Sequence, residues 1–442
     1  MSLDVVVIGG GFAGLSAAAL LGERGARVTV LEARPSLGGR ASAFTDPATG
    51  DRVDNGQHVL IGCYHETFAF LERIGASAGV ALQENLEVHM IDRRGRASRL
   101  ACPPWPAPLH LLGGVLRWES LGWADRLAVL RIRGALRRRA PDPRGAGASS
   151  TTVRQWLRAA GQTERLVELL WEPLAVAALN EPIDVAGAEP FREVLRRMFT
   201  SNRRDSRLGL PVVPLDRLFA QPARAFIERT GGAVRTGARA RVTCPAGSSR
   251  PAVITTAGET LRPDAVVCAV AWHALPDLFP SPPSALHDML DDARSTTASP
   301  IVTVNLWLDR PVEAGPFVGL PGRTMQWVFD KSRLFGGGSG HLSLVSSGAT
   351  AIVGRSNDEL VDLAMSEIRE ALPGAPAAEL RRAVVVRERR ATFSVAPGAP
   401  ARPGTRTPVQ GVYLAGDWID TGLPATIESA VTSGHWAARA IV

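Results

Sequence analysis

A chain of 442 residues with 45% hydrophobic and 21% charged residues exceeds one average core and is expected to form two lobes, each with its own apolar interior. That balance excludes a disordered or fibrous protein, and no run of about 18 unbroken apolar residues is present to span a bilayer. The formal charge is +7, and because Lys331 is the only lysine the positive charge is almost entirely arginine. It is scattered apart from a denser run at residues 131–139, and no recognition module accompanies it, which argues against a nucleic-acid partner. Attraction to anionic lipid fits it better. The apolar stretch from Leu3 to Leu21 lacks the basic start of a signal peptide. Cys63, Cys102, Cys244 and Cys268 lie far apart with no CxxC pair, as expected of free thiols in a reducing cytoplasm, and they have no metal-site spacing.

In chain order, Asp4-Val-Val-Val-Ile8 reads as a buried parallel strand, residues 15–24 as a helix ended by Gly25, and Arg27-Val-Thr-Val-Leu31 as a second strand. Residues 100–205 are dominated by helical patterns, Trp and Arg, with a Pro-rich patch at 103–108 and a loop at 141–150. A helix is expected at 215–229, followed by short strands near 233–235, 238–243 and 252–256 and a strand returning to the first lobe at 264–270. The alternation at 301–308 predicts a strand of the second lobe, 359–372 a helix, 411–416 a strand and turn, and 425–442 a closing helix. This pattern places a discontinuous cofactor lobe at 1–90, 210–270 and 390–442, and a substrate lobe at 91–209 and 271–389.

Gly9-Gly10-Gly11-Phe12-Ala13-Gly14 fits G-x-G-x-x-G at the first strand–helix junction. The first glycine permits the tight turn, the second lets backbone approach a pyrophosphate, and the third lets helix pack on strand. The helix N-terminus then offers N–H groups to the phosphates. Glu32 ends the second strand, where an acid accepts hydrogen bonds from ribose hydroxyls. Strand, glycine turn, helix, strand and acid in this order specify a dinucleotide site. Arg34 raises the alternative of an NADP 2′-phosphate, which Glu32 would repel.

Leu31-Glu-Ala-Arg-Pro-Ser-Leu-Gly-Gly-Arg40 resembles the E…GGR segment of flavoproteins related to amine oxidases and carotenoid desaturases. Gly38 and Gly39 permit close backbone approach, and Arg40 brings a forked guanidinium to the pyrophosphate. Tyr413-Leu-Ala-Gly-Asp-Trp418 resembles the strand and turn whose Asp holds the ribityl and pyrophosphate portion in such proteins. Pro424-Ala-Thr-Ile-Glu-Ser-Ala-Val431 then starts a helix whose dipole would stabilise negative charge on a reduced flavin. Asp54-Asn-Gly-Gln-His-Val-Leu-Ile-Gly-Cys-Tyr64, Trp171-Glu-Pro-Leu-Ala-Val-Ala-Ala-Leu-Asn180, Gln326-Trp-Val-Phe-Asp330 and Gly422-Leu-Pro-Ala-Thr-Ile-Glu428 extend the resemblance along nearly the whole chain. Together these strings are similar to the squalene-associated FAD-dependent desaturase family.

That resemblance implies an α/β fold, with a Rossmann-like FAD-binding domain and an inserted mixed α+β substrate domain. It implies FAD contacts from Gly9, Gly11, Phe12, Ala13, Gly14, Glu32, Ala33, Arg34, Gly39, Arg40, Val242, Gly416, Asp417, Ala425, Thr426 and Ile427. It also implies reduction of hydroxysqualene to squalene with loss of water, on a route to hopanoids, with pathway partners resembling squalene synthase. Such chemistry needs a proton for the departing water, a hydride and a dry apolar tunnel. Asp54, as a neutral carboxylic acid, is the first candidate for the proton, followed by His58 and Asp420. Trp and Phe of the helical lobe would line the tunnel or form its core.

On a helical wheel of residues 121–139, Ala128, Val129, Ile132, Ala135 and Leu136 form a stripe flanked by Arg126, Arg131, Arg133, Arg137 and Arg138. This suits an interfacial helix with snorkelling arginines on a cytoplasmic membrane face. Leu127 and Leu130, on the other side, are better explained by a helix packed within the substrate lobe, whereas supply of a lipid-derived substrate favours the first reading. A carotenoid-type desaturase and a flavin amine oxidase are the rival enzymes. The second is weakened by the presence of only two tyrosines, Tyr64 and Tyr413, although Lys331 could serve as its flavin-facing lysine. A non-catalytic flavin-binding protein is the rival outside enzymology. The string Gly336-Gly-Gly-Ser-Gly340 lacks the strand and helix of a second nucleotide site.

Overall fold

The computed structural model describes residues 3–137, 150–244, 250–336 and 340–442. The expected loop at 141–150, Arg138 and the centre of the 336–340 string lie outside the described residues, apart from residue 150. Five parallel strands form the first sheet, in the order Ala233–Arg235, Arg27–Leu31, Asp4–Ile8, Ala265–Cys268 and Val412–Leu414. Asp4–Ile8 is central and covered on both faces, which is why its residues are β-branched without alternation. Val5 and Val7 enter one apolar cluster, while Val6 and Ile8 enter another with Trp272 and Leu275.

The helices Phe12–Glu23 and Ile427–Ile441 pack against each other on the first of these faces. A Cβ at Gly434 would lie 2.3 Å from the Ala13 carbonyl oxygen, so the missing side chain sets how closely the helices approach. The two ends of the chain thereby converge on one dinucleotide turn. The expected helix at 215–229 begins with a π-helical turn, Asp216–Ala220, and continues as the α-helix Gln221–Arg229. Pro222 lacks the N–H that would close the preceding α-turn, and the wider turn accommodates it.

A seven-stranded sheet forms the second layer, in the order Leu380–Phe393, Ala298–Leu308, His341–Ser347, Trp327–Asp330, Phe317–Gly319, Glu87–Ile91 and Ala97–Ala101. Its strand at Ala298–Leu308 alternates as its sequence requires. Val302, Val304, Leu306 and Leu308 enter an apolar cluster with helix Asn357–Ala371, and Thr303, Asn305 and Trp307 take the opposite side. Helices Leu109–Arg117, Trp123–Arg137, Val153–Ala159, Glu172–Leu179 and Ala188–Met198 contribute to a fourth cluster, in which Trp118, Trp156, Trp171 and Phe191 pack as core.

The helix Trp123–Arg137 reverses the expected orientation. Ala128, Val129 and Ile132 of the proposed lipid-facing stripe are buried in the fourth cluster. Trp123, Leu127 and Leu130 are instead 72%, 60% and 50% exposed. A wheel with apolar residues on both sides does not itself say which side meets the core.

Candidate flavin and substrate site

The dinucleotide turn follows from its glycines. Gly9 has φ +118°, and a Cβ there would lie 2.4 Å from the Ala269 carbonyl oxygen; at Gly14 it would lie 1.9 Å from the Gly9 oxygen. Gly11 differs, because a Cβ there would meet nothing closer than the Gly38 oxygen at 4.0 Å. Open space thus borders the N-terminus of Phe12–Glu23, whose N-cap Gly11 has no side chain to cap it. Phe12 and Ala13 are buried in the first turn, with Phe12 stacked on Phe219 at 3.6 Å. An uncapped helix N-terminus beside glycine backbone is a fitting cradle for a pyrophosphate.

Glu32 stands at the end of its strand, as expected. Its Oε2 accepts from the Gly10 N–H at 2.7 Å and its Oε1 from the Arg34 N–H at 2.8 Å, so backbone fixes both oxygens at the lip of the turn. The Arg34 side chain donates to the Gly39 carbonyl at 3.1 Å, and Ala33 is exposed. Val242 lies with Leu31 in one apolar cluster, near the end of the Glu32 strand.

Arg40 and Asp417 form an ion pair at 2.5 Å, and Arg40 Nη1 also donates to the Ala391 carbonyl at 2.7 Å. The Gly416 turn is bound to the C-terminal helix through Ser433 Oγ, which accepts from the Gly416 N–H at 2.8 Å. Ser429 Oγ donates to the Asp417 carbonyl at 2.8 Å. Ala425 precedes the N-cap Thr426, whose Oγ1 accepts from the Ser429 N–H, and Ile427 begins the helix. A cleft of about 270 Å³ borders this turn, with Phe393, Arg402, Trp418, Leu423 and Pro424 among its lining residues. Ser433 lies outside the motifs singled out in the sequence and joins this turn only in three dimensions.

The acid candidates are arranged differently from expectation. Asp54 ends the strand Arg52–Asp54 and is buried. Its Oδ1 accepts from the Leu215 N–H at 3.0 Å and its Oδ2 from Lys331 Nζ at 2.9 Å. Both oxygens therefore face donors, the environment of a carboxylate rather than of a neutral acid with a proton to give. His58 shares the same loop and its Nδ1 pairs with the Gly56 carbonyl at 3.1 Å. Burial lowers its pKa against the pull of Asp54, so it favours neutral imidazole. Asp420 is not brought to this group. It is exposed on the C-terminal turn, with Arg402 Nη2 at 3.2 Å and the Gly422 N–H at 3.4 Å as partners. Sequence reasoning missed the Lys331–Asp54 pair, and the lysine's uniqueness was the only signal for it.

The profile of the flavin containing amine oxidoreductases matches residues 12–442. The chain belongs to that family. Within it, the chain is 31% identical to hydroxysqualene dehydroxylase of Rhodopseudomonas palustris, covering 100% of this chain and 99% of that protein. It is 27% identical to the 15-cis-phytoene desaturase of an Oncidium hybrid cultivar, covering 100% of this chain and 78% of the other. Among solved structures, an oxidoreductase from Methanosarcina mazei superimposes with a TM-score of 0.77 at 19% identity, over 99% of this chain and 100% of that one. A putrescine oxidase triple mutant gives 0.72 at 19% identity, over 100% and 98%. These two likenesses concern the fold. This family member is an FAD-dependent oxidoreductase, and the glycine cradle, Glu32 and the Arg40–Asp417 pair are suited to hold that cofactor.

Proposed function

We propose that this flavoprotein reduces hydroxysqualene to squalene with release of water, in the biosynthesis of squalene and hopanoids. The observation that carries this reading is the 31% identity, along the entire chain, to a protein named for that reaction. FAD, when bound and reduced, supplies the hydride. The protein's own tasks are to hold a long apolar chain, exclude water from an allylic cation and deliver a proton to the hydroxyl oxygen. The apolar interior of the helical lobe, where Trp118, Trp156, Trp171 and Phe191 pack as core, supports the exclusion of water.

The second reading is desaturation of a carotenoid precursor, favoured by the 27% identity to phytoene desaturase. The amine oxidase reading draws less support, since Tyr64 is buried and Tyr413 lies within a strand of the first sheet.

Supply from lipid also fits a protein that sits peripherally on the cytoplasmic membrane face, close to pathway partners resembling squalene synthase. Among the described residues no helix is long and apolar enough to cross a membrane. The deciding experiment is anaerobic single turnover of chemically reduced enzyme with hydroxysqualene, and of oxidised enzyme with phytoene. Squalene from the first assay is expected. A desaturated product from the second, with none from the first, would reverse the assignment.

A further inference from the structure

Lys331 is the only lysine in the chain and is 2% exposed. It opens the short helix Lys331–Phe335, directly after strand Trp327–Asp330. Its Nζ donates to Asp54 Oδ2 at 2.9 Å and to Gln57 Oε1 at 2.7 Å, and lies 3.8 Å from the centroid of the Phe335 ring. Among the described residues the third N–H meets no acceptor, only this ring. Phe335 in turn packs against the apolar cluster of the helical lobe, as does Val59 from the Asp54 loop.

Desolvating an ammonium costs several kcal/mol, and a buried ion pair kept for stability alone is often matched by apolar residues. The choice of residue is informative in a chain that otherwise uses arginine for every basic position. Arginine does not release its proton in proteins, whereas a buried lysine does. Burial also lowers the Lys331 pKa, with Asp54 opposing that effect. Asp54 has both oxygens committed to donors, and burial favours neutral His58. Within this cluster the transferable proton resides on Lys331.

A second observation points to a ligand at the same place. Thr303 and Asn305 project from strand Ala298–Leu308 on the face opposite its apolar cluster, and both are buried. Among the described residues, Thr303 Oγ1 and Asn305 Nδ2 have no hydrogen-bond partner. A Cβ at Gly56, beside Gln57, would lie 3.9 Å from Thr303 Oγ1. Asn305 Oδ1 meets His341 Nε2 at 3.2 Å, and the Lys331 charge helps to lower the His341 pKa. Buried, unanswered polar atoms on the face that also carries His341 suit a polar substituent, such as one oxygen, of a bound ligand.

We propose that Lys331 donates the proton to the departing hydroxyl oxygen of the substrate, with Asp54 and Gln57 as positioning residues that hold its ammonium. The inference rests on the dehydroxylase reading. The Nζ–H bond breaks as an O–H bond forms, and the C–O bond breaks with its electron pair leaving on water. The carbon then receives a hydride, with its pair, from reduced flavin. The neutral amine regains a proton from solvent, drawn by the Asp54 carboxylate.

A single lysine makes the test direct. Protein labelled with 13Cε-lysine gives one lysine signal, and its chemical shift against pH reports protonation of Lys331 in the FAD-loaded, oxidised enzyme. Single-turnover squalene formation by wild type is expected to fall with rising pH along that titration. Lys331→Arg keeps the positive charge without a releasable proton. It should bind FAD normally yet react at least about 10²-fold more slowly, the usual scale for loss of a general acid, and lose that pH dependence. Asp54→Asn should move the lysine titration to lower pH. Lys331→Arg turning over within about tenfold of wild type, with the high-pH fall intact, would overturn the proposal. Absence of squalene from wild type at every pH would instead defeat the dehydroxylase reading, and the two failures are thus distinguishable.

Discussion

Arg40 and Asp417, separated by 377 positions in sequence, meet in an ion pair at 2.5 Å. The contact ties the Gly38–Gly39 turn to the turn that precedes the C-terminal helix, so one guanidinium joins the two segments proposed to hold FAD. Its fork serves Asp417 through one nitrogen and the Ala391 carbonyl through another. A lysine carries the charge but not the fork. Arg40→Lys should therefore weaken FAD binding by about 1.5–3 kcal/mol, the range for a charge-assisted hydrogen bond. Glu32→Ala should cost a similar amount, because the Gly10 and Arg34 N–H groups lose their acceptor as well. Fluorescence of FAD released on serial dilution measures both, and unaltered release from either variant would count against that residue as a cofactor ligand.

Which parts of this were legible beforehand depended on how local each relationship is. The strand Asp4–Ile8, its glycine turn and the helix after it are fixed by neighbours in sequence, and they formed within a few residues of expectation. Asp54 illustrates the opposite case. Its chemistry is decided by the Leu215 N–H and by Lys331, 277 positions away, and no local pattern carries that information. Asp420 lies between two strings resembling the flavin site, yet its own side chain turns to Arg402. Resemblance located the turn without fixing the direction of each side chain on it.

His341 makes stability depend on pH. It stacks on Trp307 at 4.1 Å and is buried, and desolvation, aided by the Lys331 charge, lowers its pKa to about 4. An unfolded histidine titrates near 6.5, so between those values the unfolded chain binds the extra proton and the folded protein does not. The contribution is complete above pH 6.5 and is lost as pH falls toward 4, on the order of 3 kcal/mol in total. Thermal melts of the holoprotein at pH 7 and pH 5 should show this loss. His341→Phe keeps an aromatic ring beside Trp307 and should flatten that part of the profile. An equally steep acid limb in the variant would assign the effect to other groups.

Two glycines should respond oppositely to the same substitution. At Gly434 an added methyl meets the Ala13 oxygen at 2.3 Å and Ser16 Oγ at 2.4 Å, so the C-terminal helix must move off the dinucleotide helix. Gly434→Ala should cost about 1–3 kcal/mol, as overpacked contacts do, and loosen FAD with it. Gly134 lies within helix Trp123–Arg137, where an added methyl would meet no atom of a neighbouring element within 4 Å among the described residues. Gly134→Ala should stabilise by about 0.4–1 kcal/mol through helix propensity and unfolded-state entropy. Melting temperatures moving the same way in both would contradict the packing argument.

The proposed peripheral membrane contact makes a prediction about one group of exposed apolar side chains. Trp105, Leu109, Leu116, Trp123, Leu127 and Leu130 all fall between residues 105 and 130, on the Pro-rich segment and the two helices that follow it. Arg117 lies over the Trp105 ring at 4.9 Å and Arg126 over the Trp123 ring at 5.0 Å. Amphipathic tryptophans with arginines beside them suit the headgroup boundary, where aromatic rings reach the acyl chains and guanidinium groups stay with phosphate. Burying part of Trp123, Leu127 and Leu130 gains more than screened charge alone, since a fully buried large apolar side chain is worth about 1.5–3 kcal/mol. Replacing these three with Ser should therefore reduce partition onto anionic liposomes by about 10²-fold or more, in low and high salt alike. Replacing Arg131, Arg133 and Arg137 with Gln should remove only a salt-sensitive part, at most about 1 kcal/mol per residue. The apolar variant should still bind FAD, because its side chains point away from the buried cluster. Sedimentation of that variant with liposomes at wild-type levels would remove this face from membrane contact, and a larger loss from the arginine variant would make the attachment chiefly electrostatic.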